Sequence, residues 1–323
     1  MELIKKRIHY VREGKKIFDQ FYVDEEYNVP EAKEDVRRIV DTGTELKIEE
    51  IRPVENYVRI TGKLYFRILY LNVSSDPKPG VLEGKLPFEE MVYAENQEGE
   101  EFYIQNVRIE FTPSLIHSRK LNIKAVVTFY AAVDELSGIR LPVSLEDENI
   151  SVQKKTMRLL DLAIHKKDTL RIKDDMNLAS NRPNVENLLW YTIEPRNLDL
   201  RPEDDRLRVK GELSVFVMYA GGEEENPPQW LEYSMPFNSE MECSGCGEDL
   251  IPHIEVSVLH QGIEVKPDGD GEERVLQVDV VLELNMKLYR EEEHELILDV
   301  YTPLKECVLP VSYTHLRAHE TCA

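Results

Sequence analysis

The residues whose type and spacing could carry chemistry are few. Cys243-Ser244-Gly245-Cys246 is a C-x-x-C pair. Such a pair supplies half of a four-ligand zinc site, or the two thiols of a redox couple. Zinc would have to recruit Cys307 and His253, because no second C-x-x-C exists and residues 1–242 hold no cysteine. A redox couple works through a depressed thiol pKa, and these flanks do not read as the helix start that would depress it. A glycine-rich loop with two incidental thiols accounts for the same residues. Asp268-Gly269-Asp270-Gly271-Glu272-Glu273 resembles half of a calcium loop without the full ligand pattern, and a solvated hairpin turn explains it equally well.

Catalytic signatures are missing. There is no G-x-S-x-G, H-E-x-x-H or phosphate loop. His9, His117, His165, His253, His260 and His294 stand alone, and carboxylate pairs carry no information in a chain with 62 acidic residues. Trp190, Trp230, Tyr65 and Tyr130 are possible platforms for a sugar ring. No catalytic, cofactor-binding or metal-binding residue is assigned. The formal net charge of −22 argues against nucleic acid and anionic membranes as main partners. Acidic runs such as Glu223-Glu224-Glu225 and Glu291-Glu292-Glu293 read as solvated surface. No secretory signal and no apolar run long enough for a membrane span appear, and four cysteines are too few for a disulfide scaffold, so a cytoplasmic location is expected.

The elements that must position these residues come from an internal repeat. Ile51–Tyr70, IRPVENYVRITGKLYFRILY, recurs as Leu200–Tyr219, LRPEDDRLRVKGELSVFVMY, at a constant offset of 149 residues. Val58, Ile60, Leu64, Phe66, Ile68 and Tyr70 alternate with polar residues, the period of a half-buried strand. Gly62 and Gly211 fall on the inward face in mid-strand, which predicts a bulge, a bend or a close backbone approach. Phe88 and Phe237, each after a proline, are expected to plug the core. Asn28–Val40 and its counterpart, with Pro30, early acids and Val36, Ile39 and Val40, predict one short helix per repeat. Later strands match at offsets of 147 (Val107–Phe111 with Ile254–Val258) and 155 (Leu121–Val133 with Leu276–Leu288). Among polar residues, Asp24-Glu25-Glu26 is echoed by Lys173-Asp174-Asp175, Arg59 by Arg208 and Asn28 by Asn177.

Residues 134–150, with Ser137-Gly138, read as the boundary. The expected organisation is all-β with one short helix per repeat: two tandem antiparallel sandwiches or open barrels, each of five to seven strands, over 1–150 and 151–310. Val311–Ala323, VSYTHLRAHETCA, resembles the read-through of a sequencing adapter. It is excluded as an artefactual tail, with His315, His319 and Cys322, and the natural chain is expected to continue differently beyond about Pro310.

FDQFYVDEEYNVPEAKEDVRRIV followed by ELKIEEIRPVENYVRITGKLYFRILYLN resembles the SPOCS-domain family. The V-D-E-x-Y-N-V-P element at Val23–Pro30 and the G-x-L-x-F-x-x-x-Y core at Gly62–Tyr70 carry the likeness, which spans residues 15–310. These are spore-coat-associated repeat proteins, SipL-type coat morphogenesis proteins among them. The resemblance implies a non-enzymatic scaffold in the mother cell, at the forespore surface, that binds a coat basement-layer ATPase or other coat proteins. It also implies a C-terminal LysM module able to touch peptidoglycan, which this sequence lacks. The other reading is a pair of carbohydrate-binding β-modules at the cortex or cell wall.

Overall fold

The computed structural model describes residues 2–95, 102–146, 150–222 and 227–301. They form twelve strands: β1 (Glu2–Asn28), β2 (Val36–Val54), β3 (Tyr57–Asn72), β4 (Pro79–Tyr93), β5 (Phe102–His117), β6 (Lys120–Glu146), β7 (Ser151–Asn177), β8 (Val185–Glu203), β9 (Arg206–Gly221), β10 (Gln229–Glu242), β11 (Leu250–Pro267) and β12 (Glu273–Tyr301). They pair into four three-stranded antiparallel sheets, β1-β6-β5 and β2-β3-β4 in the first half, β7-β12-β11 and β8-β9-β10 in the second. The two halves repeat one topology strand for strand. Each is a sandwich of two sheets, not a closed barrel.

The period of two explains the cores. Val58, Ile60, Leu64, Phe66, Ile68 and Tyr70 are all buried, as are Leu207, Val209, Leu213, Val215, Val217 and Tyr219. In the first half they meet Leu121, Ile123, Val127 and Phe129 of β6; in the second, Leu276, Val278, Val280 and Leu282 of β12. Each buried cluster draws its members from one half alone.

Gly62 and Gly211 combine two of the expected devices. Gly62 pairs with Phe88, and Gly211 with Phe237. A Cβ on Gly62 would sit 2.8 Å from the Phe88 ring and 2.2 Å from the Lys47 carbonyl oxygen; on Gly211 it would sit 2.9 Å from the Phe237 ring. Opposite each glycine, β2 and β8 carry a bulge, at Ile48/Glu50 and at Arg196/Asp199. The ring thus fills the space that the missing side chain leaves. Phe88 stacks on Phe21 at 4.7 Å between centroids, tying the two sheets together.

There is no helix among the described residues. The stretch expected to be helical makes one turn, Lys33 N–H to Pro30 carbonyl at 2.9 Å, and then enters β2 at Val36. Bulges at Val36/Arg38 and Ile39/Asp41, and at Val185/Asn187 and Leu188/Trp190 in β8, each add a residue to the strand. They stretch the apolar spacing from two to three and so imitate helical periodicity. The offset of 147 at β5 is also corrected. Ile109 faces Val127 while Val258 faces Leu282, so the equivalent pair is 149 apart; a bulge at Gln105/Arg108 had hidden the register.

The crossing from β1 to β2 is held by a duplicated arginine. Arg119 donates to the carbonyls of Val29 (3.1 Å), Pro30 (2.9 Å) and Lys33, and lies 3.3 Å from Asp35 Oδ1. Arg274 donates to the carbonyls of Ala179 (2.6 Å) and Arg182 (2.9 Å) and to Asn184 Oδ1 (2.7 Å). Pro30, Lys33 and Asp35 are the counterparts of Ala179, Arg182 and Asn184. Tyr70 and Tyr219 each donate a hydroxyl to the same crossing, at the carbonyls of Glu34 and Pro183, both at 3.3 Å.

Residues 134–146 are not linker. β1 and β6 run beyond the sandwich as a two-stranded ribbon, with His9 opposite Gly138 and Glu2 opposite Glu146. Leu136, Ile139 and Leu141 continue an irregular apolar pattern through the Ser-Gly step. β7 and β12 form a matching ribbon that ends with Ser151 opposite Tyr301. The ribbons meet: Lys6 pairs with Glu292, and the His9 backbone N–H donates to Asp161 Oδ1 at 2.6 Å. Ile8, Leu162 and Leu296 are buried there, outside either sandwich core.

The glycine geometry gives a stability test. Gly62→Ala drives a Cβ into a backbone carbonyl and should destabilise by about 1–3 kcal/mol, the usual range for overpacking. Gly211→Ala should cost less, since its nearest carbonyl is 3.2 Å away and its other neighbours are side-chain ends. Urea unfolding of both variants checks the order.

Candidate functional site: the cleft between the two halves

The cysteine pair lies in the core. Cys243 and Cys246 are buried, closing a turn with Cys246 N–H to Cys243 carbonyl at 2.9 Å. The turn is anchored on the β8–β9 hairpin, where Cys243 N–H donates to the Asp205 carbonyl at 3.0 Å and Gly245 N–H to Asp205 Oδ1 at 2.8 Å. The equivalent first-half bond runs from Ala94 to Asn56 at 2.9 Å, so Cys243 takes the place of a buried alanine. Burial, then the hydrogen bond with Cys243, pushes the Cys246 thiol up to about 12. This pair packs as two small hydrophobes. His253 is exposed on β11 beside Glu255, and Cys307 lies outside the described residues, as do Glu223–Glu225 and Val311–Ala323.

The acidic loop is a hairpin turn. Asp268 Oδ1 accepts the backbone N–H groups of Asp270 (2.9 Å) and Glu272 (3.1 Å), and Gly271 sits at φ +85°. Those backbone bonds hold the Asp268 carboxyl below its ordinary range. Its Oδ1 is spent on the turn, and its Oδ2 faces Arg274 Nε at 4.0 Å.

The duplicated polar residues resolve into cross-strand pairs. Asp24 lies opposite Lys124 at 3.4 Å, and at the equivalent register Lys173 lies 4.0 Å from Asp279: the same pair with its charges exchanged. Arg59 binds Glu89 at 2.8 Å and Arg208 binds Glu203 at 2.9 Å. Asn28 and Asn177 are exposed at the ends of β1 and β7. His9 and His294 are engaged with Asp161 and Glu292 near the ribbons.

Two of the four aromatic candidates do come together. The outward face of sheet β2-β3-β4 forms one wall of a cleft of about 570 Å³ whose other wall is β8 with part of β11. Tyr65 and Trp190 both line it. Rows across the first wall follow the register: Gly43, Arg67 and Glu83, then Glu45 and Tyr65, then Lys47. The Trp190 ring rests on Gly43, where a Cβ would be 3.2 Å from its Cη2. The Arg67 guanidinium lies 4.0 Å over the Tyr191 ring and binds Glu83 at 2.6 Å, so one wall is braced against the other. Tyr130 and Trp230 lie elsewhere, against Phe18 and Phe216.

A second brace sits near the sandwich ends. Lys287 Nζ donates to Asp134 Oδ2 at 2.5 Å, with both side chains nearly buried (12% and 13% exposed). Tyr103 donates to Asp134 Oδ1 at 2.9 Å, and Lys167 lies 4.8 Å from the centre of the Tyr103 ring. Sequence reasoning missed this pair because neither residue has a charged counterpart in the other repeat that would mark it. Burial pushes the Asp134 carboxyl up, but the hydrogen bonds from Lys287 and Tyr103 outweigh it and hold the group below its ordinary range.

The family model described as SipL, SPOCS domain matches the chain twice, over residues 35–114 and 184–266, together half of its length. The first match runs from the β1–β2 crossing into β5 and the second from the β7–β8 crossing into β11, each including the central strand; Val23–Pro30 precedes the first. No curated protein and no solved structure matches the chain. No helix is long and apolar enough to cross a membrane, among the described residues.

Two outcomes follow from this geometry. An aspartate held below its unfolded value contributes stability above that value and loses it as pH falls through the folded one. The wild type should therefore hold the full Asp134 contribution above about 3.8, the ordinary aspartate value, and lose it progressively as pH falls from there through the lower folded value. In Lys287→Met the Tyr103 bond remains but the carboxylate loses its ammonium partner, so its folded pKa rises: the variant should be less stable than the wild type at pH 7, and the gap should narrow as Asp134 protonates, as read by thermal midpoints from pH 7 to 3. Separately, Cys246 in the folded chain should alkylate roughly a thousandfold more slowly at pH 8 than an exposed thiol, and at the normal rate in urea. Mass spectrometry of the labelled peptides checks this.

Proposed function

Because the chain belongs to the SipL, SPOCS-domain family, and is therefore a spore-related protein, we propose that it is a non-enzymatic scaffold of spore-envelope assembly. It works by protein–protein contact with coat morphogenetic proteins, the basement-layer ATPase first among them, in the mother cell at the forespore surface. The observation that carries this reading is the double family match on two sandwiches braced against one another. Two similar modules held in fixed relation present two related surfaces to an assembly and raise avidity when both engage. The reading is also supported by the fate of the chemistry-bearing residues: the thiols fill a core niche and the duplicated charges pair across strands.

The test is capture from a sporulating-cell lysate on the immobilised chain, followed by identification of what is retained. The expected result is enrichment of the coat ATPase or another coat morphogenetic protein over a vegetative-cell lysate. Recovery of no coat protein counts against the scaffold. One observation favours a second reading, sugar binding: Tyr65 and Trp190 share a single cleft.

A further inference from the structure

We infer that the cleft between the two halves is a binding site for a short run of uncharged or amino-bearing sugar rings; this rests on the second reading above and gives it a place. Four observations carry it. The first is the combination of platforms and acceptors. Trp190 and Tyr65 are half-buried aromatic faces in the same cleft as Glu45, Glu194 and Gln261. The Gln261 Oε1 atom is buried without a hydrogen-bond partner, and a sugar hydroxyl reaches it once the side chain turns toward the cleft. Sugars offer both halves of this match: an apolar ring face and a rim of O–H donors.

The second observation is shape. The cleft volume falls within the roughly 300–1,000 Å³ usual for small-molecule sites. Its walls are braced by the Glu83–Arg67–Tyr191 stack, so the site is built before a ligand comes.

The third is charge. Glu45, Glu83 and Glu194 line the cleft with Lys47 and Arg67, Arg196 binds Glu194 at 2.8 Å, and the whole chain around the cleft carries −22. An anionic glycan would meet net repulsion; a neutral or amino sugar would not.

The fourth limits the obvious competitor. An extended peptide binds an all-β surface most readily by adding a strand to a free edge. Of the edge strands at this cleft, β2 and β8 are each interrupted by three bulges and β11 is interrupted at Val258/His260, while β4 pairs without a break. Bulges twist an edge away from further pairing. Strand addition is left to β4, and elsewhere in the cleft recognition falls to side chains.

Trp230 is the rival aromatic. It is 58% exposed and stacks on Phe216 at 6.5 Å between centroids, but it does not line the cleft. The chain has only these two tryptophans, which makes the assignment measurable. In Trp230→Phe, the remaining indole fluorescence reports Trp190. Titration with chitotetraose and with the glucosamine tetramer should shift and saturate that signal in the millimolar range or tighter. Tetragalacturonate should do so at least tenfold more weakly. By calorimetry on the otherwise native chain, Trp190→Ala and Tyr65→Ala should each weaken binding at least tenfold, and Trp230→Ala should leave it unchanged. Gly43→Leu, which fills the floor under Trp190, should abolish it while both sandwiches stay folded by circular dichroism.

Sugar binding that survives Trp190→Ala but is lost in Trp230→Ala would overturn the cleft while leaving the sugar reading intact. No binding of any of the three tetramers at 10 mM (an upper bound of about 3 kcal/mol of affinity) would overturn both. Saturable binding of a Lys-Thr alternating decapeptide, with no sugar response, would overturn the inference in favour of a peptide groove.

Discussion

Each sandwich depends on one crossing. The chain must leave sheet β1-β6-β5 and enter sheet β2-β3-β4 on the opposite face, and over that span no ladder exists to pair the carbonyls of the turn. Val29 and Val36 are buried at its two ends while Pro30 to Glu34 between them are exposed, so a fixed donor serves to order the turn. Arg119 and Arg274 meet the need with a single planar group that reaches three or four acceptors at once. The tyrosine hydroxyls of Tyr70 and Tyr219 reach the same segment from the core side. With the crossing fixed, the stacking of the two sheets, the Gly–Phe plugs and the placement of β2 and β8 follow. The outward face that builds the cleft is the other side of those same strands.

Much of the fold was legible because alternation is a direct consequence of the pleat. Six of the buried residues of β3 were readable from the string Val58 to Tyr70 alone. The constant offset extended the reading to the second half. What failed, failed at bulges. Val36, Ile39 and Val40 look helical because two inserted residues break the alternation, and the β5 register was concealed in the same way. Ser137-Gly138 reads in sequence as part of the boundary between the halves, but it lies inside a long ribbon, paired with Tyr10 and His9. The paired arginines went unseen because they sit at an offset of 155, past a loop of changed length.

The site was legible only in its parts. Tyr65 and Trp190 were visible as aromatics, 125 positions apart, but their meeting depends on how one half sits on the other. Nothing local encodes that arrangement. The exchanged pair, Asp24 with Lys124 against Lys173 with Asp279, shows the opposite case. Residue by residue it looks like a lost acidic motif. As an interaction it is conserved between the halves, since a surface ion pair is indifferent to which strand carries which sign.

The ribbons have a mechanical consequence. Glu2 lies opposite Glu146 and Ser151 opposite Tyr301, and Glu146 and Ser151 are only five residues apart, so these four positions gather at one pole. A load applied through the segments flanking β1 and β12 would enter there. It would peel antiparallel rungs one after another, zipper-fashion, instead of shearing many together. The ribbons would open at low tension and act as an extensible spring, while the two sandwiches beyond them kept their shape.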